Sequence, residues 1–423
     1  MERRDFFTIT GGLAGAALLA SCTRDPAGTP ASPVRAQASG TPAPAAHVLY
    51  ADVSTNLSAI DAGTGATIYS SARPVPAADW SRLYTVSPAG RLLTLDARTG
   101  RELSRTPVPP GLVARAVSPL GTSVVLGAPA QADPYGKPGR RITTLVVADP
   151  RESTAPQVLR LDGNFEPDGF SSDGSVLFLL QYLPATAPEG YRVKAYSVGQ
   201  RKFLSLLTRD KTPVPKGAEE TMRGEGRIAV MDTSGRRLYT LYTHQPDHLH
   251  TRDLVAGRTT GVHAFVHVLD LTQQWAYCLD LPEPFGRGPA ENHTLAISYD
   301  SLYIYDGTTG TLAQAATESL AIERTVSIGA SSGTAWASAA GDSLYIAAGP
   351  SVRAVGTGAL TIRGAWRLPA AALGVAISPD EKSVYAGISG GVVRLDGQGG
   401  RELSRLAVPG ISRLRHVASS PTG

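Results

Sequence analysis

The stretch His244–Asp253 holds the densest set of chemically active side chains, with three histidines and two aspartates in ten residues. Its candidate binding residues are His244, Asp247, His248, His250, Arg252 and Asp253. Imidazole and carboxylate groups bind transition metals, and imidazole also exchanges protons near neutral pH. The spacing falls in a predicted loop, so no regular element aligns these groups. We therefore expect exposed side chains, which form either a metal site or a set of solvated loop residues.

Three further residues of this region carry imidazole or thiol groups. His263 and His267 are four residues apart on a predicted strand, which separates them by about 13 Å, too far for one metal ion. Cys278 lies in the strand-like run Trp275–Leu281. With Cys22 as the only other cysteine, we predict for Cys278 a buried, unreactive thiol. No catalytic residue and no organic cofactor is predicted.

The elements that position these residues are β-strands. Short runs rich in Val, Leu, Ile, Tyr and Ala alternate with Gly, Asp, Pro and Ser turns, and no helical period is sustained. One phrase recurs, a strand followed by Asp-x-x-Thr-Gly, at Asp61, Asp96 and Asp306, with a degenerate copy at Asp396. The Asp accepts backbone N–H bonds and the Gly supplies a positive φ. These aspartates therefore predict hairpin turns.

The repeated phrases resemble those of the YVTN and quinoprotein-like β-propellers, over most of residues 47–421. The resemblance implies an all-β propeller of four-stranded blades. The third strands are predicted to end near Asp61, Asp96, Asp149, Ser197, Asp270, Asp306, Val355 and Asp396. This count gives eight blades, with seven as the alternative. Leu414–Pro421 reads as a first strand and Val48–Val53 as a second strand, so the two ends should close the ring in one blade.

Most long connections fall between second and third strands or between blades, which places them on one face of the ring. They are residues 129–140, 183–190, 208–224, 244–261, 282–292 and 318–333. Long loops on a rigid scaffold concentrate binding, although tolerated insertions would look the same. We predict that this long-loop face is the functional one.

The N-terminus indicates export. Residues 1–22 combine Arg3 and Arg4, a short apolar run and Cys22, which resembles a twin-arginine lipoprotein signal with Cys22 as the lipidated residue. Residues 23–46 are rich in Ala, Pro, Ser and Thr and predict a disordered tether. Residues 47–423 form the propeller domain. We therefore expect a protein anchored to the outer face of the cytoplasmic membrane.

The predicted function is a lipid-anchored binding or scaffolding module that acts through the long-loop face. Its partner would be another protein or a cell-envelope ligand, and the chain would be a monomer. The net charge of +4 is not gathered in a basic patch, so nucleic-acid binding has no support. Residues 262–282 resemble uncharacterised secreted propellers of actinobacteria. The alternative is a lactonase-like or quinoprotein-like enzyme with its site in the central channel.

Overall fold

The computed structural model describes residues 47–420, except residues 132, 134, 152–153, 216–217, 224 and 246. The predicted signal at residues 1–22, with Cys22, and the tether at residues 23–46 lie outside the described residues. Within the described part, 32 strands form eight four-stranded antiparallel sheets. These sheets are the blades of a β-propeller, so the predicted fold and the count of eight are confirmed.

The first four blades follow one another along the chain. Blade 1 contains β1 (His47–Val53), β2 (Asn56–Asp61) and β3 (Thr67–Ala72). Blade 2 contains β4 (Val75–Pro76), β5 (Arg82–Ser87), β6 (Arg91–Asp96) and β7 (Glu102–Pro107). Blade 3 contains β8 (Val113–Val117), β9 (Val124–Gly127), β10 (Ile142–Ala148) and β11 (Gln157–Asp162). Blade 4 contains β12 (Asn164–Phe170), β13 (Val176–Leu183), β14 (Gly190–Ser197) and β15 (Lys202–Leu204).

The second half repeats the pattern with one short helix. Blade 5 contains β16 (Glu225–Met231), β17 (Arg237–Thr243), α1 (Thr251–Val255), β18 (Phe265–Asp270) and β19 (Trp275–Asp280). A 3₁₀ turn (Ala290–Asn292) precedes blade 6, which contains β20 (His293–Ser298), β21 (Ser301–Asp306), β22 (Thr311–Ala316) and β23 (Ala321–Ser327). Blade 7 contains β24 (Ala335–Ala340), β25 (Ser343–Ala348), β26 (Ser351–Gly356) and β27 (Thr361–Arg367). Blade 8 contains β28 (Ala372–Ile377), β29 (Ser383–Ile388), β30 (Gly391–Asp396) and β31 (Glu402–Ala407), and the chain ends with β32 (Ile411–Ser419).

The ring closes through the two ends of the described chain. β32 pairs antiparallel with β1, with His47 opposite Ser419 and Tyr50 opposite His416, so blade 1 has the order β3-β2-β1-β32. Leu414 and Val417 of β32 are buried in a hydrophobic cluster shared with blade 8. The predicted closure is confirmed, and it gives β1 a paired strand on each side, β2 and β32.

The Asp-x-x-Thr-Gly phrases form the predicted turns. Asp96 Oδ1 accepts hydrogen bonds from the backbone N of Arg98 at 3.1 Å and of Thr99 at 2.9 Å, and from Thr99 Oγ1 at 2.8 Å. Partial burial opposes ionisation, yet these bonds hold the pKa of Asp96 below its usual range. Gly100 has φ of 71°, which an L side chain rarely adopts. The aspartate is therefore a structural element of the hairpin.

Blade 6 departs from the predicted strand order. Asp306 ends the second strand of this blade, and the third strand is β22, which ends at Ala316. The segment predicted as one long loop, residues 318–333, contains strand β23. The phrase fixes only the geometry of a turn, and any antiparallel hairpin can use it. Its position in the sequence therefore does not identify which pair of strands it joins.

The hydrophobic core lies between neighbouring blades. Val266 of β18, for example, shares a buried cluster with Leu302 and Ile304 of β21. Around the axis, a cavity lined by Leu295, Trp336 and other first-strand residues measures about 10 Å³. This is the space of roughly one water molecule. Among the described helices, none has the length and apolar character that a bilayer crossing requires.

Candidate functional site

The connection between β17 and β18 folds back onto blade 5. His248 and Val262 form an antiparallel bridge, with both N···O distances at 3.0 Å. The His248 ring stacks on Phe265 with centroids 4.8 Å apart, and the His250 ring meets the same phenyl edge-on at 4.8 Å. His250 then precedes α1. Packing on Phe265 therefore turns both imidazoles inward from a surface loop.

Glu220 comes from the connection between blades 4 and 5 and joins the two histidines. Its Oε2 lies 3.8 Å from His248 Nε2 and 3.6 Å from His250 Nδ1. One ligand atom from each of the three residues lies within 4.8 Å of the others. Glu220 Oε1 accepts a hydrogen bond from the backbone N of Thr251 at 2.7 Å, which holds the carboxylate in place. We name Glu220, His248 and His250 the histidine cluster.

The imidazoles of the cluster are buried, and three of their ring nitrogens lack hydrogen bonds. His248 is 8% exposed and His250 is 0% exposed. Within the described residues, His248 Nε2 and both ring nitrogens of His250 have no hydrogen-bond partner. His250 Nε2 lies 2.7 Å from Asp280 Oδ1, but the two atoms do not have hydrogen-bond geometry. Buried polar atoms are normally paired, and leaving one unpaired costs about 1–3 kcal/mol.

Cys278 and His267 adjoin the cluster on two paired strands. They are cross-strand partners, with His267 Nδ1 3.4 Å from Cys278 Sγ. The thiol donates to Glu220 Oε2 over 3.4 Å. Burial, together with the Glu220 carboxylate, raises the pKa of Cys278 well above its usual range, so the sulfur is a thiol near neutral pH. The predicted burial of Cys278 is confirmed. Its surroundings are polar, because the His267 imidazole and the Glu220 carboxylate contact the sulfur.

The charges of the cluster are coupled. Burial works against the ionised carboxylate, but His248 and His250 hold the pKa of Glu220 well below its usual range. Burial likewise opposes protonation of His250, and Asp280 and Glu220 overcome it and raise its pKa. Burial lowers the pKa of His267 to about 4, so this ring is neutral at pH 7. Glu220 therefore favours the protonated form of His250, and the two histidines favour the ionised form of Glu220.

A cavity of about 920 Å³ opens beside the cluster, between blades 4 and 5. The segment after β15 forms part of its wall and runs along β19, where the Ala276 N donates to the Leu207 O at 2.9 Å. Glu220, His267 and Cys278 lie on the wall of the cavity. The cluster is therefore buried but adjacent to a space large enough for a small molecule.

Two of the six predicted site residues belong to the cluster, and one more lies beside it. His248 and His250 were expected to be exposed, and this expectation is wrong because both rings pack on Phe265. Arg252 pairs with Asp280 at 2.7 Å. Asp253 accepts a hydrogen bond from the backbone N of His250 at 3.0 Å and pairs with Arg258. His244 and Asp247 are exposed.

The sequence patterns did not identify Glu220, and they did not predict that His267 and Cys278 are cross-strand partners. His263 lies outside strand β18, whereas His267 lies within it and faces Cys278. The hairpin register contains the missing signal. The turn pairs Asp270 with Trp275, and three residues further from the turn on each strand His267 pairs with Cys278. No local signal points to Glu220, because it comes from a different inter-strand connection.

The donor set defines the chemistry of the site. Two imidazoles and one carboxylate are ligands that zinc accepts, and imidazole also suits copper, iron and nickel. Zinc sites with three protein ligands keep a further position for water or another ligand. The buried, unpaired nitrogens and the adjacent cavity are the features that such a site needs. The class that the structure defines is therefore a β-propeller with a candidate metal centre at its long-loop face.

Comparison with known proteins supports the fold alone. No protein-family model and no curated protein sequence matches the chain. The structure of apo AztD from Citrobacter koseri has a TM-score of 0.53 and 9% identity, over 88% of this chain and 96% of that chain. A second Citrobacter koseri AztD structure has a TM-score of 0.52 at 9% identity, with the same coverage. The dihydro-heme d1 dehydrogenase NirN in complex with DHE has a TM-score of 0.49 and 14% identity, over 88% of this chain and 75% of that chain.

Proposed function

We propose that this chain is a metal-binding β-propeller, in which Glu220, His248 and His250 bind a transition-metal ion of the zinc class. The proposal rests on three ligand atoms that lie within 4.8 Å of one another. Two of them belong to buried imidazoles, and His248 Nε2 and both nitrogens of His250 lack hydrogen bonds. An ion would satisfy these atoms. The two imidazole ligands favour zinc or copper over magnesium or calcium, which prefer oxygen ligands.

Metal analysis and calorimetry test the site. Protein purified without a chelator should retain zinc or copper, and Zn²⁺ should bind the stripped protein with one ion per chain. Glu220→Gln keeps the shape of the side chain but removes the charge. We expect it to weaken Zn²⁺ binding by about 100-fold or more, beyond what loss of a supporting contact costs. An ion at 100 times its Kd stabilises the folded protein by about 2.7 kcal/mol, so Zn²⁺ should raise the Tm of the wild type clearly and that of Glu220→Gln much less.

His244→Ala is the matched control, because His244 is exposed and lies outside the cluster. It should bind Zn²⁺ as the wild type does. Removal of a buried histidine can also unfold the protein, so the melting temperature of each stripped variant is measured first. If folded Glu220→Gln binds Zn²⁺ as tightly as the wild type, or the wild type binds none, the proposed metal centre is wrong.

We further propose that the propeller is a YVTN-like lipoprotein exported by the twin-arginine route and held at the outer face of the cytoplasmic membrane through Cys22. It would act there as a monomeric binding module for another protein or a cell-envelope ligand. The support is the order of basic residues, apolar run and Cys22, followed by the Ala/Pro-rich residues 23–46.

Cell fractionation tests the anchor. The wild-type protein should sediment with membranes, and Cys22→Ala should accumulate as an uncleaved, longer precursor. Cys278→Ala changes the other cysteine of the chain and serves as the control, because it should be processed and sediment like the wild type. Equal processing and equal solubility of the wild type and Cys22→Ala would exclude lipidation.

A further inference from the structure

We propose that the cavity beside the histidine cluster binds a small molecule with one carboxylate and an apolar body, and that the carboxylate completes the coordination of the bound ion. The inference rests on the proposed metal binding by Glu220, His248 and His250. It adds a class of ligand and a second binding region, the cavity wall, to that centre.

The walls indicate an apolar body. Leu204, Leu206 and Met222 line the cavity from the side of blade 4, and Val255 and Tyr277 line it from blade 5. Its volume of about 920 Å³ is at the upper end of the range for sites that enclose drug-sized molecules. Removing an apolar body from water onto such walls is favourable in proportion to the area buried.

The polar groups around the cluster lie together at one end. Thr251 and Cys278 both donate to Glu220, and Arg252 Nη1 donates to the Cys278 carbonyl at 2.9 Å. The guanidinium of Arg252 also lies 5.0 Å from the centre of the Tyr277 ring. The other charged groups of the wall are two of each sign, namely Lys194, Arg209, Asp210 and Glu219. We therefore expect a ligand with a polar head and an apolar tail to place its head beside Glu220.

Charge balance selects a single negative charge for the head. A divalent ion with neutral histidines and the Glu220 carboxylate leaves one positive charge. Arg252 and Asp280, which pair at 2.7 Å, cancel each other. An unbalanced buried charge is unfavourable, and a monoanion would neutralise it. A carboxylate supplies both this charge and an oxygen ligand for the open metal position.

Cobalt spectroscopy tests the proposal on the full mature chain. Co²⁺ substitutes for Zn²⁺ and gives visible absorption bands that report changes in its ligands. Decanoate should shift these bands in a saturable way, whereas 1-decanol, which lacks the carboxylate, should leave them unchanged. Butyrate should bind at least about 100-fold more weakly than decanoate, because each buried CH₂ strengthens binding about three- to fourfold.

Two substitutions fill the cavity without touching the metal ligands, Leu206→Trp and Val255→Trp. Each should weaken decanoate binding at least tenfold and leave the cobalt spectrum and Co²⁺ affinity unchanged. Val158→Trp is the matched control, since Val158 is 50% exposed and Val255 is 64% exposed, but Val158 lies on blade 3 away from the cavity. Two variants are used so that one misfolded protein does not decide the outcome.

The two proposals fail differently. If Co²⁺ binds but decanoate does not change its spectrum, the cavity proposal is wrong and the metal centre stands. The same conclusion follows if 1-decanol and decanoate act alike, or if folded Leu206→Trp and Val255→Trp both bind decanoate as the wild type does. If no cobalt spectrum forms, the metal centre and the ligand proposal fall together.

Discussion

Deletion of Arg413–Gly423 is expected to lower the free energy of unfolding by an amount comparable to the whole stability of the domain. The deletion removes most of β32 and its ladder with β1. It also removes Leu414 and Val417, which are both 2% exposed. Burial of two such side chains contributes roughly 3–6 kcal/mol, against about 5–15 kcal/mol for a typical domain. Thermal unfolding followed by circular dichroism measures the effect.

The loss should come from the open ring rather than from the shorter chain. A control that removes only residues 421–423 keeps all of β32 and should melt like the full-length protein. A synthetic peptide of residues 411–420 added to the truncated protein should raise its melting temperature, because the peptide can pair with β1. An unchanged melting temperature in the long deletion would show that closure by β32 contributes little.

Fold and blade count could be predicted because turn chemistry is local. The bonds from Arg98 and Thr99 to Asp96 and the positive φ of Gly100 depend on five consecutive residues. Such a phrase can be recognised without knowledge of the rest of the chain. Blade 6 shows the limit of this signal. Asp306 forms the same kind of turn one strand earlier, because the phrase does not encode its place in the blade.

The candidate site could be predicted only in part, for a related reason. His248 and His250 lie in one loop, so their proximity follows from the sequence. Glu220 joins them from the connection between blades 4 and 5, and only the packing of the two blades brings it there. Burial of the imidazoles also depends on Phe265, which lies beyond the loop. Loop position alone therefore gave the wrong exposure for both histidines.

Cys278 illustrates a signal that was present but incomplete. The strand register places it opposite His267. Two tertiary contacts complete the surroundings of this pair. The Cys278 thiol donates to Glu220, and the segment after β15 packs along β19, where the Leu207 carbonyl accepts from the Ala276 N. That segment has no strand or helix period, so its path follows from tertiary contacts. The periodicity of a sequence predicts regular elements better than it predicts which loops cover them.

A buried ion cluster between blades 3 and 4 leads to the second prediction with a large effect. Glu166 on β12 is 3% exposed and binds two arginines, Arg115 on β8 and Arg140 from the β9–β10 connection. Arg115 Nη1 also donates to the Ala128 carbonyl at 2.7 Å, and Arg140 Nε donates to Asn164 Oδ1 at 3.0 Å. The carboxylate therefore links the first strand and a loop of one blade to the next blade.

Glu166→Gln should lower the free energy of unfolding by about 3–5 kcal/mol, because it removes the buried carboxylate that both Arg115 and Arg140 bind. The volume and shape of the side chain are almost unchanged, so the effect reports charge. The matched control is Glu283→Gln, which breaks the exposed pair of Glu283 with Arg287 at 2.6 Å. That substitution should leave stability unchanged, since exposed ion pairs contribute little.

Chemical denaturation measures the free energy of unfolding of both variants and of the double variant Glu166→Gln/Arg115→Met. The comparison shows how much of the loss in Glu166→Gln depends on Arg115. Removing Arg115 together with the carboxylate should recover part of the lost stability, because the double variant no longer buries a guanidinium that has lost its bond to Glu166. The recovery would show that the cost of Glu166→Gln comes from the broken Arg115–Glu166 pair. A Glu166→Gln protein that unfolds at the same denaturant concentration as the Glu283→Gln control would mean that the arginines are solvated, and that blades 3 and 4 are held together by apolar packing instead.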